Sequence, residues 1–263
     1  MSANFKNFLD SFSKIEKNFL GKKLILILDF DGTLTRIRKQ ASAPKISQKR
    51  ISFLRALSNL DGVHIIILSG RPLSFLKKRV PVKNAMLIPE RGIYLSSFLP
   101  EKKAVLEKEL LSLKKLLLPF TKSFRGSTIE LKPTSLVFHF RNVEKSKSWV
   151  LERKVLKITK LFLRDKKLLK IVPGRMSLEF LPRNFPDKGD TLRKIMNQHN
   201  GFFIYAGDDE TDEPAFKQVS KKGIGILLRS KEKSTKTTAK YYLNGMSEMD
   251  LALNLIYNSK KEK

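Results

Sequence analysis

LILILDFDGTLT, at residues 24–35, ends an apolar segment with two carboxylates. Five aliphatic residues lead directly into Asp29 and Asp31, which are separated only by Phe30. Carboxylates this close together repel each other. A hard divalent cation such as Mg²⁺, which takes oxygen ligands, relieves that repulsion. The stretch therefore predicts a buried strand that ends at a metal site.

Four further apolar runs follow along the chain. They are VHIIIL (63–68), AMLI (85–88), FFIYA (202–206) and GIGILL (223–228), with helical spacing between several of them, as in SQKRISFLRALSNL (47–60). Continuously apolar strands that alternate with helices indicate a parallel sheet covered on both faces. Ligands bind beyond the carboxyl ends of such strands, so Asp29, Ser69 and Asp208 are expected at one edge. We predict an α/β fold with a Rossmann-like core.

Between residues 103 and 183 the pattern changes to strict alternation. It is seen in TIELK (128–132), SLVFHFR (135–141) and RMSLEFL (175–181). Alternation predicts a half-buried sheet with one apolar and one polar face. Residues 149–163 have helical spacing and would cover the apolar face. We expect an α+β cap domain at 103–183, inserted in a core domain formed by 1–102 and 184–263.

The composition excludes several classes of site. The 263 residues carry a net charge of +28, which attracts anions, although the basic residues are spread along the whole chain as on a solvated surface. Because there is no cysteine, disulfides, thiol nucleophiles and Cys-ligated metals are excluded. No apolar run approaches the roughly 18 residues of a membrane span. A soluble, cytoplasmic, monomeric protein is expected.

The N-terminal segment alternates aromatic and charged residues at close to helical spacing. Its apolar positions are Phe5, Phe8, Leu9, Phe12, Ile15 and Phe19. We predict a helix over residues 3–20 that packs on the core, because Asp10 and Glu16 interrupt its basic face. A membrane-surface helix is the alternative.

DxDGT after an apolar strand resembles the signature of the haloacid dehalogenase superfamily. The other three motifs of that superfamily occur in order: Ser69 after a strand, Lys188 before a helix, and the acidic loop GDDETDE at 207–213. The resemblance implies that Asp29 is the nucleophile, forming an aspartyl-phosphate, and that Asp31 is the general acid and base. Ser69 and Lys188 would contact the phosphoryl group.

The same resemblance implies a metal site and its ligands. Mg²⁺ would be held by Asp29, the main-chain carbonyl of Asp31, and Asp208. Asp209 or Asp212 would support it. Phosphoryl transfer depends mostly on positioning and charge stabilisation, which such a set of groups can provide.

Within the superfamily, the chain is similar to the trehalose-6-phosphate phosphatase family. The matching segments are SGRP (69–72), PERGIYL (89–95), IELKPTSLVFHFR (129–141), PGRMSLEFLP (173–182), DKGDTL (187–192) and GDDETDEPAF (207–216). By this resemblance, a closing cap would bind sugar hydroxyls. The implied substrate-binding residues are Gly70, Arg71 and Glu90 on the core, and Glu130, Lys132, His139, Arg141, Arg175 and Glu179 on the cap. A polar sheet face that simply meets solvent is the alternative.

The resemblance implies a Mg²⁺-dependent phosphoric monoester hydrolase that acts in trehalose biosynthesis on trehalose 6-phosphate. The family usually has His, Lys and Arg where this chain has Arg91, Arg175 and Leu181. Sucrose-phosphate, mannosyl-phosphoglycerate and other sugar phosphates therefore remain open as substrates. A basic protein that binds nucleic acid or an anionic surface is the competing hypothesis, but intact acidic motifs argue against it. No nucleic-acid or membrane partner is expected.

Overall fold

The chain divides into two compact units. In the computed structural model the described residues are 5–36, 44–95, 99–164, 168–174, 176–229 and 237–262, with the backbone alone described for 99–102. Met1–Leu95 and Pro186–Lys263 form the core unit, and Ser96–Phe185 form the inserted unit. The inserted unit begins before residue 103, because its first helix already starts at Leu99.

A seven-stranded parallel sheet forms the centre of the core unit, in the order β1-β11-β10-β9-β2-β3-β4. The strands are β1 (Lys6–Asn7), β2 (Leu24–Leu28), β3 (Val63–Leu68), β4 (Ala85–Ile88), β9 (Phe202–Gly207), β10 (Gly223–Leu228) and β11 (Tyr241–Leu243). All five strands that the apolar runs predict are confirmed. β2 lies between β9 and β3 and is completely buried. Its even-numbered residues pack into one apolar cluster and its odd-numbered residues into another. This two-sided burial explains the unbroken aliphatic run.

Helices cover both faces of this sheet. They are α1 (Phe12–Phe19), α2 (Gln48–Ser58), α3 (Leu73–Arg79), α6 (Lys188–Gln198), α7 (Glu213–Val219) and α8 (Met246–Lys261). Buried residues of α1, α2, α3 and α8 join the cluster on one face, and those of α6 and α7 join the cluster on the other. The predicted α/β core is confirmed. Within the described part of the chain, no helix is both long and apolar enough to cross a membrane.

The predicted N-terminal helix over 3–20 is present in part, as α1 (Phe12–Phe19), and its Phe12, Ile15 and Phe19 side chains are buried in the core. Residues 1–4 lie outside the described residues, Lys6–Asn7 form a strand, and the helix begins only at Phe12. The N–H groups of Lys6 and Phe8 donate hydrogen bonds to the carbonyls of Lys240 and Tyr242, so the start of the chain extends the sheet edge. Pairing with a strand more than two hundred residues away decides the conformation, and no local pattern encodes it.

The inserted unit is a four-stranded antiparallel sheet in the order β5-β6-β8-β7, with two helices. Its elements are α4 (Leu99–Ser123), β5 (Thr128–Leu131), β6 (Leu136–His139), α5 (Lys145–Leu163), β7 (Leu169–Gly174) and β8 (Ser177–Pro182). Buried leucines of α4 and the Leu151 and Val155 side chains of α5 pack against the apolar sheet face. The alternating strands and α5 are confirmed. The helix α4 and the strand β7 were not predicted from the sequence.

Candidate active site

The carboxyl ends of β2, β3 and β9 bring together polar residues that are distant in sequence. Asp29 follows β2, and its N–H donates to the carbonyl of Ala206 on β9 at 2.9 Å. Ser69 follows β3, and its N–H donates to the carbonyl of Ile88 at 3.0 Å. Asp208 follows β9. All three side chains are buried at the edge of the sheet where the sequence places them.

Lys188 joins two of the acidic motifs. It is the first residue of α6, which begins with a capping box between Asp187 and Asp190. Its buried ammonium Nζ donates to Asp29 Oδ1 at 2.7 Å and to Asp212 Oδ1 at 2.6 Å. A cation at a helix N-terminus opposes the helix dipole, so these two carboxylates are what stabilise it there.

Asp212 organises the acidic loop. Its Oδ1 accepts hydrogen bonds from Lys188 and from the Tyr205 hydroxyl, and its Oδ2 accepts from the N–H groups of Asp208 and Asp209. Both oxygens therefore accept two hydrogen bonds each. Asp212 is completely buried and fixes the turn that carries Asp208.

Three buried carboxylates could share one metal ion. Asp29, Asp208 and Asp212 each offer an oxygen, and these oxygens lie within 4.8 Å of one another. Among the described residues, the ammonium of Lys188 forms ion pairs with Asp29 and Asp212, and this ammonium and the three carboxylates together carry a formal charge of −2 when all are ionised. All the donors are hard carboxylate oxygens. The residues present thus fit Mg²⁺ in both charge and ligand type.

Burial and the neighbouring charges shift the pKa values of three groups in this cluster. Burial raises the pKa of Asp29 well above its ordinary value; Lys188 opposes the rise, while Asp212 and Asp208 add to it. Burial alone would lower the pKa of Lys188, but Asp212 and Asp29 outweigh burial and raise it. Burial likewise favours a protonated Asp212, yet Lys188 keeps its pKa below the ordinary value. A bound divalent cation would favour the ionised form of Asp29.

Arg71 and Asp31 form a two-pronged ion pair beside this cluster. Arg71 Nε donates to Asp31 Oδ2 at 2.7 Å, and an Nη donates to Asp31 Oδ1 at 2.8 Å. The N–H of Arg71 also donates to Ser69 Oγ at 3.1 Å. The loop after β3 is thereby tied to the loop after β2.

The PERG loop after β4 is held in an unusual backbone conformation. Glu90 and Arg91 have φ of 47° and 54°, the left-handed region that side chains other than glycine rarely adopt. The Glu90 N–H donates to the carbonyl of Arg71, and the Arg91 N–H donates to that of Ser69. The Glu90 side chain is buried. These bonds tie the PERG loop to residues 69–71, and Arg91 Nε lies 3.9 Å from where a Cβ would stand on Gly70, the half-buried residue between Ser69 and Arg71.

Asp209, the remaining predicted metal residue, is exposed. Its Oδ1 accepts hydrogen bonds from the N–H and the hydroxyl of Thr211 and so caps the short 3-10 helix Glu210–Asp212. The structure therefore places Asp209 in the acidic loop but gives its side chain a capping role.

In the inserted unit, the polar sheet face carries paired charges. His139 Nε2 lies 2.9 Å from Glu130 Oε2, and Lys132 Nζ lies 3.4 Å from Glu179 Oε1. The Ser135 hydroxyl donates to the same Glu179 oxygen at 3.2 Å. Of the two other predicted sugar-binding residues on this unit, Arg141 is exposed and follows β6, and Arg175 lies outside the described residues.

A family model described as trehalose-phosphatase matches residues 27–247. The chain belongs to the trehalose-phosphatase family. Two Arabidopsis thaliana relatives support this: probable trehalose-phosphate phosphatase C is 27% identical over 97% of this chain and 83% of the relative, and probable trehalose-phosphate phosphatase H is 29% identical over 92% and 74%. The structure of the Candida albicans trehalose-6-phosphate phosphatase C-terminal domain has a similar fold, with a TM-score of 0.79 at 22% identity over 98% of this chain and 99% of that one.

As a member of the trehalose-phosphatase family, the chain is a phosphoric monoester hydrolase of the haloacid dehalogenase superfamily. The resemblance that the motifs indicate is thus confirmed, since the matched region runs from within LILIL to beyond the acidic loop. The likeness to the Candida structure confirms the fold.

Two contributors to this trehalose-phosphatase site were missed by sequence reasoning. Tyr205 lies inside β9 and donates to Asp212, and the Thr191 hydroxyl of α6 donates to the carbonyl of Arg91. A tyrosine in a fully buried strand needs a hydrogen-bond partner, which was a usable signal. Thr191 carried no comparable signal in the sequence, because its partner Arg91 lies on a loop about a hundred residues away.

Replacing Gly32 with Ala is expected to displace Asp208. Gly32 has φ +86°, and a Cβ there would lie 2.0 Å from Asp208 Oδ2. Moving a reacting or metal-holding group by about 1 Å lowers turnover by roughly 100-fold, so kcat/KM should fall by at least that much. Gly21→Ala is the matched control, because Gly21 has φ +73° but nothing within 4 Å. Equal loss of activity in both variants would contradict the close approach of Gly32 to Asp208.

Proposed function

We propose that the protein hydrolyses trehalose 6-phosphate to trehalose and phosphate, with Mg²⁺ and through an aspartyl-phosphate on Asp29. The observation that carries the proposal is the buried cluster in which Lys188 bridges Asp29 and Asp212 and Asp208 stands alongside. A surface acidic loop has no reason to bury three carboxylates around one amine.

Asp29 acts as the nucleophile. Its carboxylate oxygen forms a bond to phosphorus while the bond from phosphorus to the sugar oxygen breaks, and the electron pair stays on that oxygen. Lys188 offsets negative charge on Asp29 and on the transferred group from its position 2.7 Å away. Ser69 donates its hydroxyl to a phosphoryl oxygen. Water then attacks phosphorus, and the bond to Asp29 breaks to release phosphate.

Asp31 handles the protons in both steps. It gives a proton to the leaving sugar oxygen and then takes one from the attacking water. Arg71 holds both Asp31 oxygens in the structure, so this role requires the pair to open. An incoming phosphate competes for the Arg71 guanidinium, since guanidinium binds phosphate in the same two-pronged manner. Substrate binding would therefore free Asp31 when it is needed.

Asp29, Asp208 and the main-chain carbonyl of Asp31 would hold Mg²⁺, with Asp212 and Asp209 supporting the loop. When bound, Mg²⁺ supplies positive charge that lets an anionic carboxylate approach an anionic ester. The oxygen-only donor set and the formal charge of −2 support this choice of ion.

The polar face of the inserted unit would bind the sugar. Glu130, Lys132 and Glu179 supply paired donors and acceptors suited to hydroxyl groups. His139, Arg141 and Arg175 would extend the same surface, and Gly70, Arg71 and Glu90 would shape the core side. The monomeric state and the cytoplasmic location stay predictions.

Phosphate release from a panel of sugar phosphates tests the proposal. With Mg²⁺, trehalose 6-phosphate should give the highest kcat/KM, above sucrose 6-phosphate, mannosyl-phosphoglycerate and the small aryl ester p-nitrophenyl phosphate. Chelation should abolish turnover, and added Mg²⁺ should restore it. Glu179→Gln should raise KM for the preferred sugar phosphate and leave the aryl ester unaffected. Absence of phosphate release from every sugar phosphate would overturn the proposal.

A further inference from the structure

The exposed face of α5 has a composition that the phosphatase reaction does not explain. At about 100° per residue, a sector of about 140° on α5 and its C-cap residue holds Ser146 and eight large apolar or basic residues. These eight are Trp149, Val150, Arg153, Lys154, Lys157, Lys160, Leu161 and Arg164. All eight are exposed, while Leu151, Val155 and Leu163 on the opposite side are buried in the inserted unit. We call these eight residues the α5 outer face.

Three large apolar side chains of the α5 outer face are open to solvent. Trp149 is 60% exposed, Leu161 62% and Val150 39%. Lysine residues alone keep a surface solvated, so solvation does not explain these apolar side chains. Exposed apolar side chains on protein surfaces are usually isolated from one another. Here they share one helix sector with five basic residues.

The α5 outer face contains five basic residues and no acidic one. Within the described residues, no ion pair involves any of these five side chains. The Arg153 guanidinium lies 4.6 Å from the centre of the Trp149 ring, an arrangement that leaves its charge available. The positive charge of the face is therefore not neutralised within the described part of the chain.

The positive surface continues beyond the end of α5 into a cavity of about 420 Å³. Lys160 and Arg164 line this cavity together with Lys170, Arg183 and apolar side chains that include Leu163. The lining of the cavity therefore combines basic and apolar side chains, as the α5 outer face does.

We propose that the α5 outer face binds the surface of an anionic phospholipid bilayer. Interfacial helices combine Lys and Arg, which meet acidic headgroups, with Trp and Leu, which enter the boundary between headgroups and acyl chains. A nucleic-acid surface would use the same cations but gives no reason to expose Leu161 and Val150. This binding departs from the expectation that the chain has no membrane partner, and it is peripheral, because no described helix can span a bilayer.

Trp149 makes the proposal directly testable, because it is the only tryptophan in the chain. Purified full-length protein is mixed with vesicles of phosphatidylcholine alone or of phosphatidylcholine with phosphatidylserine. Co-sedimentation and a blue shift of tryptophan fluorescence should appear with the anionic vesicles and weaken as salt is raised. Binding without a change in Trp149 emission would overturn the proposal, because another surface would then be responsible.

Charge-reversal variants locate the surface. Each basic residue near an anionic bilayer favours binding about fivefold, so Lys157→Glu with Lys160→Glu should weaken it by at least about 25-fold. Lys217→Glu with Lys221→Glu makes the same charge change at exposed positions of the core unit and should weaken it far less. Equal losses would show attraction to total charge alone and overturn the proposal, as would micromolar nucleic-acid binding with no vesicle binding. Phosphatase activity should be the same in both double variants, so this test is independent of the proposed function.

Discussion

Asp29→Asn is expected to lower phosphate release by roughly 10⁴-fold or more, which is the scale on which enzymes lose turnover when a covalent nucleophile is removed. The amide has nearly the same shape as the carboxylate, so the surrounding packing is kept. It cannot form the acyl phosphate, and its amide nitrogen is not a ligand for a hard cation. Initial rates with trehalose 6-phosphate and saturating Mg²⁺ measure the effect.

The matched control for this prediction is Asp61→Asn. Asp61 lies at an exposed turn of the core unit, so the substitution changes the net charge identically without touching the cluster. It should retain full activity. Substantial turnover in Asp29→Asn, with the fold intact by circular dichroism, would show that Asp29 is not the nucleophile.

Asp212→Asn is expected to destabilise the fold by about 3 kcal/mol, besides reducing activity. Asp212 is completely buried, and four donors point at its two oxygens. An amide presents an NH₂ group in place of one carboxylate oxygen. In either orientation of the amide, this NH₂ group would face other hydrogen-bond donors, either Lys188 and Tyr205 or the two main-chain N–H groups. Lys188 also loses one of its two counter-charges. Urea unfolding in the presence of a chelator measures the loss.

Asp208→Asn provides the contrast. It removes a negative charge that raises the pKa of Asp29, so the free energy of unfolding without metal should fall less than in Asp212→Asn. Activity should nevertheless fall, and more Mg²⁺ should be needed to restore it, because a ligand is lost. The two neighbouring carboxylates thus separate into one that holds the loop and one that holds the ion. Equal destabilisation by both substitutions would contradict this division.

The sequence was sufficient for the strands of the core and for the edge of the sheet that carries the site. A short uninterrupted aliphatic run such as β2 is typical of a strand that is buried on both faces. The carboxyl ends of parallel strands lie at the same edge of the sheet. The meeting of Asp29 and Asp208 follows from that rule alone. The alternating runs of the inserted unit were equally readable, because a period of two distinguishes the face that is buried.

The remaining features depended on non-local partners. The N-terminal pattern fits a helix, yet Lys6 and Asn7 pair with β11 at the far end of the chain. The division of labour between Asp208 and Asp212 depends on which oxygens Lys188 and Tyr205 reach, and spacing within GDDETDE does not reveal this. The pairing of Asp31 with Arg71 is likewise a contact between two loops.

The alternating burial of β2 limits which substitutions the strand can accept during evolution. Leu26 and Ile27 pack into the apolar clusters on opposite faces of the sheet, three and two positions before Asp29. A larger or smaller side chain at either position would displace Asp29 from its neighbours. A displacement too small to unfold the protein would already reduce activity. Selection for turnover therefore constrains this strand more tightly than selection for stability would. If the inserted unit binds the sugar as proposed, substitutions on its polar sheet face would change specificity without changing the packing around β2.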